Sequence, residues 1–257
     1  MISFTEAQIL AWISPILWPF IRVLAVLSAL PVLAQRAVPA RLRIGFAFLV
    51  ALCAQAALPA SVLPPPDTPL DSVLGLTLVA QQVFIGLALG FAVRVIFAAV
   101  EFAGEIVGLQ MGLNFAGFFD PSTASQSTAT ARLFSTLVGW LFIVINGHLL
   151  VVVAVVGSFQ AFPATPQPLS FLLQLDPIQW GTEMFRLGLW IALPLVTMLL
   201  FVNLVLGVIS RVAAQINIFA IGFPVTLGVG LLGLLLTLPF MQAPFEHALQ
   251  FMLQRFQ

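Results

Sequence analysis

The chain has no lysine, one cysteine and two histidines among its 257 residues. Without lysine there is no Gly-x-x-x-x-Gly-Lys phosphate loop, so direct use of ATP is not expected. His148 and His247 lie far apart, and neither has a cysteine or a second histidine at metal-ligand spacing. No metal or cofactor is expected, and no pairing of nucleophile and base points to an enzyme. Cys53 has no partner for an internal disulfide and, inside an apolar run, reads as a buried inert thiol. Charge is scarce as well. Nine arginines balance nine acidic residues, and only 7% of the chain is charged, against about a quarter in a soluble domain. Neutrality excludes the basic footprint that nucleic-acid binding needs.

Hydrophobic residues make up 61% of the chain, more than a soluble fold of this size can hide, so it reads as an integral membrane protein. Six apolar segments follow one another. The first, about Ile9 to Leu33, carries Pro15, Pro19 and Pro31, which kink a helix by removing backbone hydrogen bonds. It opens on Ser3-Phe4-Thr5-Glu6, a helix-capping pattern. No short apolar run precedes a small-residue cleavage site, so no removable signal peptide is expected. Arg22 sits near the segment's middle. A charge there costs about 2.5–3.5 kcal/mol on insertion scales, so it must face protein, head groups or water.

The second segment runs from about Leu42 to Leu63, the third from Leu70 to Val100 with a Gly86/Gly90 pair, and the fourth from Arg132 to Phe159 with Asn146-Gly147-His148 deep inside. The fifth covers about Arg186 to Ile209 and the sixth about Ile218 to Met241, followed by an amphipathic tail from Glu246 to Gln257. Asp176-Pro177 and Glu183 fit a short surface helix ahead of the fifth. The expected fold is all-α: a polytopic helical membrane protein of about six kinked apolar helices or hairpins. Arg36, Arg41 and Arg43 form the densest basic cluster. The positive-inside rule puts that cluster in the cytoplasm, so both termini are expected outside. The proline links at Pro64–Pro66 and Pro163–Pro168 then share the outer side. The bilayer interior carries almost no acidic residue, which speaks against an ion-coupled carrier. His148 reads as a hydrogen-bonded interior residue.

The longest break in this pattern runs from Gly104 to Thr130. Its first half is small, apolar or aromatic, which argues against disorder; its second half is a Ser/Thr run that offers caps for the next helix. A loop of this length in a compact protein is usually functional or disordered. Gly104, Gly108 and Gly112 are spaced by four and share one helical face. That spacing reads either as close helix packing or as part of a moving element. Arg94, Glu101, Glu105, Arg132 and Arg211 stand at segment ends as candidates for polar or ion-pair contacts.

The residues Gly104–Pro121, GEIVGLQMGLNFAGFFDP, resemble the central loop of the R subunit of the bacterial flagellar export gate, the FliR family. That family includes the equivalent subunit of type III secretion injectisomes. The resemblance continues through Asn146-Gly147-His148, Arg211 to Gln215 and Phe219 to Pro224, in order over nearly the whole chain. One departure is Ala214, where the family often has proline. The resemblance implies a pore-forming subunit that passes unfolded flagellar proteins across the inner membrane at the flagellar basal body. It would sit in a hetero-oligomeric helical ring with the P and Q subunits, near the large export-gate membrane proteins. Residues 1–185 would form a P-like part containing the loop, and residues 186–257 a Q-like hairpin plus tail. The loop residues Gln110, Met111, Gly112, Leu113, Asn114, Phe115, Ala116, Gly117, Phe118, Phe119, Asp120 and Pro121 would plug the closed channel. Met fills irregular gaps and Gly permits many backbone angles, which suits a seal that reforms. Two other classes stay open: an ion or small-molecule transporter, which would work alone, and a purely structural membrane anchor, which would tolerate loop changes.

Overall fold

A computed structural model describes residues 6–35, 37–65, 68–113, 128–164, 176–213 and 218–257. Every regular element among them is helical, because an apolar chain without water must satisfy its backbone groups within each segment. The helices are α1 (Glu6–Ala29), α2 (Ala40–Ala57), α3 (Val73–Gln110) and α4 (Ala129–Val144), then α5 (Gly147–Ala161), α6 (Pro177–Val212), α7 (Ile218–Thr237) and α8 (Gln242–Gln254). Short 3-10 turns at Ala60–Val62 and Leu238–Met241 complete the set. Five helical stretches are long and apolar enough to cross a membrane, six if α4 and α5 count as one broken span.

Four features depart from the sequence expectation. First, α3 does not stop near Val100 but runs on through Glu101, Gly104, Glu105 and Gly108 to Gln110. Charge and glycine lower hydropathy there without ending the helix. Second, the fourth apolar segment is broken: Asn146 adopts a left-handed conformation, φ 56° and ψ 33°, which asparagine tolerates better than most residues. His148 follows the break, and its buried Nδ1 has no hydrogen-bond partner among the described residues. Third, Asp176-Pro177 opens no separate surface helix; it starts the 36-residue α6. There the Asp176 carboxylate accepts the Gln179 N–H at 3.1 Å, with proline at the first helical position. Fourth, Cys53 is exposed, not buried, because α2 presents apolar residues on its outer face as well.

The chain forms two compact units. One gathers residues up to Val95, Asn146–Trp180 and Leu249–Gln257. At its centre Arg22 is fully buried. Its Nε donates to Gln82 Oε1 at 2.8 Å, one terminal nitrogen to Ser158 Oγ at 2.9 Å and the other to the Phe162 carbonyl at 2.9 Å. The guanidinium carbon lies 3.6 Å above the Phe159 ring centroid. These bonds join α1 to α3 and to the C-terminal end of α5, where the positive charge also meets the negative end of the helix dipole. Gly86 and Gly90 let α3 approach α1. A Cβ on Gly86 would lie 2.5 Å from the Arg22 carbonyl, and one on Gly90 2.6 Å from the Ala29 Cβ. Ala54, Leu58 and Phe159 pack together beside this network.

The second unit gathers Ile96–Ile145 and Gly181–Ala248. Its core is aromatic. The Phe97 ring lies edge-on to Phe142 at 5.5 Å and to Phe245 at 5.8 Å, and Phe102 to Phe185 at 5.2 Å. Gly188 brings α6 against α3, since a Cβ there would lie 2.7 Å from the Ala99 carbonyl.

Arg22→Leu is expected to remove the donor that Gln82 Oε1, Ser158 Oγ and the Phe162 carbonyl share. Leaving a buried acceptor such as Gln82 Oε1 unpaired costs about 1–3 kcal/mol. The variant should melt well below wild type in mild detergent. Arg22→Lys keeps the charge but not the planar fork, so it should recover only part of the loss. Unchanged melting of Arg22→Leu would show that the network contributes nothing.

Candidate functional site

The junction where α3 ends and α4 begins is built from small residues, one carboxylate and two threonines. Past Gln110 the chain turns at Gly112, whose φ is 78°, a left-handed conformation that costs a residue with a Cβ about 1–2 kcal/mol. The Gly112 N–H donates to the Leu109 carbonyl at 3.1 Å and the Leu113 N–H to the Gly108 carbonyl at 3.1 Å. This pair of bonds is the Schellman stop, which needs glycine at this position. Gly112 therefore stands apart from Gly104 and Gly108: its backbone angle, not a neighbouring helix, accounts for it.

Gly104 and Gly108 face α4. A Cβ on Gly104 would lie 2.8 Å from the Ala131 Cα and 3.0 Å from the Phe134 side chain. One on Gly108 would collide with the Thr130 hydroxyl. Thr128 caps α4: its Oγ1 accepts the Ala131 N–H at 3.2 Å. The N–H of Thr128 itself donates to Glu105 Oε1 at 3.0 Å, and its hydroxyl lies 3.1 Å from that of Thr130. A carboxylate at a helix N-terminus is favoured by the dipole and by the orphan N–H groups there.

Met111 completes the junction. Its side chain is fully buried and lies over Gly230 of α7, where a Cβ would come within 2.6 Å of the Met111 Cγ. The Thr226 hydroxyl approaches the Met111 carbonyl at 3.4 Å, a long hydrogen bond. The methionine expected in a channel plug is thus packed inside its own chain, at the root of the loop. Gln110, Gly112 and Leu113 are half-buried, and the remaining expected plug residues, 114–121, lie outside the described residues.

The charged candidates lie on three helices. Arg94 is exposed on α3, and Glu101 is half-buried. Arg132 is exposed on the first turn of α4, and Arg211 on the last turn of α6, where a cation suits the dipole. Arg186 and Glu183 form an ion pair at 2.8 Å on the surface of α6. Sequence reasoning missed the roles of Thr226, Gly230 and Ala131. The glycine-rich run around Gly230 was the only signal for them, and it does not say which residue comes to rest on it. Among the described residues no group of His, Cys, Asp and Glu could hold a metal ion.

Apolar helical spans and a close-packed loop root define a polytopic helical membrane protein. The chain matches the family described as "Bacterial export proteins, family 1" over residues 13–252. It is 42% identical over 248 residues to the flagellar biosynthetic protein FliR of Escherichia coli, covering 96% of this chain and 93% of that one. It is 40% identical over 247 residues to the protein of the same name from Pectobacterium carotovorum, with 96% and 93% covered. The Buchnera aphidicola protein of that name is 33% identical over 241 residues, with 94% and 92% covered. The chain belongs to this family of export proteins, the FliR family, and is a component of the flagellar export apparatus.

The glycines of the junction should differ in their tolerance. Gly104→Ala drives a methyl into the α4 backbone, which cannot yield locally, so a loss of about 1–3 kcal/mol is expected. Gly230→Ala meets only the flexible Met111 side chain and should cost less. Thermal melting of the purified assembly in mild detergent ranks the two. The reverse order would show that α3 and α4 are not held at this distance.

Proposed function

We propose that this chain is a pore-forming subunit of the flagellar type III protein export gate in the bacterial inner membrane. The observation that carries this reading is apolar surface left uncovered. Helix α6 has 36 residues and is about 54 Å long at ~1.5 Å per residue. The hydrocarbon core of a bilayer is only about 30 Å thick. Large apolar side chains are nevertheless exposed along α6 from Ile178 to Val212, among them Trp190, Phe201 and Leu204. Lipid tails alone cannot cover a stripe of that length, and partner helices can. The P and Q subunits of the gate are the proposed partners. The large export-gate membrane proteins would lie nearby, and unfolded flagellar proteins are the proposed cargo. In this arrangement residues 1–185 are the P-like part and residues 186–257 the Q-like hairpin and tail.

The loop rooted at Gln110–Leu113 and returning at Thr128 would stopper the closed passage. Two features support this. The root is pinned on α7 by Met111, and the return point is pinned on α3 by Glu105. Small and apolar side chains crowded into a narrow throat exclude water, and a hydrophobic constriction can close by dewetting. The chemistry of this chain offers no energy source, so the driving force would come from the ATPase and the proton gradient of the apparatus.

Deleting residues 114–120, which leaves Met111 and Thr128 in place, should let ions or small solutes leak through membranes that still contain the assembled gate. Normal assembly with no added leak would remove the stopper. Topology is tested separately. In a Cys53→Ala chain, a cysteine added at either terminus should react in intact cells with a maleimide that cannot cross the inner membrane. Labelling only after lysis would reverse the proposed periplasmic termini.

A further inference from the structure

We propose that Glu105 is a positioning residue whose carboxylate keeps the α3–α4 junction closed while protein is exported, an inference that rests on the export-gate reading above. An ordinary capping box pairs an N-cap Ser or Thr with an acid three residues later, which reaches back to the N-cap N–H. Here the N-cap is Thr128, and the residue three positions on is Ala131, which has no acceptor. The missing half of the box is supplied by another helix: Glu105 of α3 accepts the Thr128 N–H at 3.0 Å. The hydroxyl half is intact, with Thr128 Oγ1 on the Ala131 N–H at 3.2 Å.

This arrangement ties the start of α4 to the packing of α3. Gly104 and Gly108, on either side of Glu105 in sequence, are what bring the carboxylate within reach, since any side chain there would strike Ala131 or Thr130. A bond from an ionised acceptor to a backbone N–H is stronger than a neutral one. It also satisfies a helix-end amide for which Ala131, at the usual capping-box position, offers no acceptor. Separating α3 from α4 would break the cap and the glycine contacts together. The junction therefore works as a fixed frame, and passage of cargo does not open it.

The test uses the assembled gate in a Cys53→Ala background. Glu105→Ala should raise solute leak several-fold without loss of assembly. Glu105→Gln, whose amide oxygen can accept the same N–H, should stay within about twofold of wild type, the rescue expected of a lost acceptor. The double variant Glu105→Cys with Thr128→Cys should leak like Glu105→Ala. When bridged by a short thiol-to-thiol crosslinker it should reseal and keep exporting at the unbridged wild-type rate. Export that stops on bridging and returns on cleavage of the linker would overturn the proposal, because the junction would then have to open. A Glu105→Ala gate as tight as wild type would overturn it too, as would a Glu105→Gln gate as leaky as Glu105→Ala. If deletion of residues 114–120 leaks while Glu105→Ala does not, this inference alone fails. If the deletion does not leak, the stopper reading fails first.

Discussion

In a chain this apolar, water exclusion does not choose which helices meet, because lipid tails are as oily as the helices. Van der Waals contact and buried hydrogen bonds choose instead, and contact improves as backbones come closer. Helix α3 shows this along its whole length. Gly86 and Gly90 bring it onto α1, and Gly104 and Gly108 bring it onto α4. Gly188 of α6 comes to rest on its Ala99 carbonyl, and Gly230 of α7 receives its Met111. At each point a missing side chain on one partner sets the distance. The burial of α3 follows: 61% of its span is inside the chain, against 22% for α6.

Close approach leaves little room for charge, and Arg22 and Glu105 are used alike. Arg22 takes the Phe162 carbonyl at the C-terminal end of α5. Glu105 takes the Thr128 N–H at the N-terminal end of α4. Each sits at the helix end whose partial charge it opposes, and each satisfies a backbone group that the helix itself cannot. With 7% of the chain charged, such pairings do structural work that ion pairs do in soluble proteins. They also join elements far apart in sequence, so that helix ends and tertiary packing stand or fall together.

The outer surface follows another rule. Leu235 and Leu236 of α7 are 65% and 68% exposed, and Phe201 and Leu204 of α6 are 66% and 65% exposed. A chain with this surface is finished only by what surrounds it. Membership in an export family and helices longer than a bilayer is thick both favour other protein chains for part of that covering. The loop root then has a plain mechanical meaning. It fixes where segment 114–127 leaves and returns, so that whatever the segment does starts from two anchored points.

Much of this was legible in the sequence. The apolar segments foretold the helices, the spacing of Gly104 and Gly108 put them on one face, and the Ser/Thr run foretold a cap that Thr128 provides. Hydropathy failed where its quantity was the wrong one. It measures transfer into lipid, not helix continuity. It therefore ended α3 early at Glu101 and Glu105 and passed over the break at Asn146, whose neighbours stay apolar. It could not tell an inward from an outward face either, since both are oily in a membrane protein, and so it buried Cys53. Only the tertiary structure decided the partners of Arg22, which come from 60 to 140 residues away. It alone brought Glu105 to Thr128 across 23 residues. Composition determines that these residues must be helical and must lie out of water. Which backbone groups a buried charge can reach depends on how closely the helices pack, and that distance exists only in the folded chain.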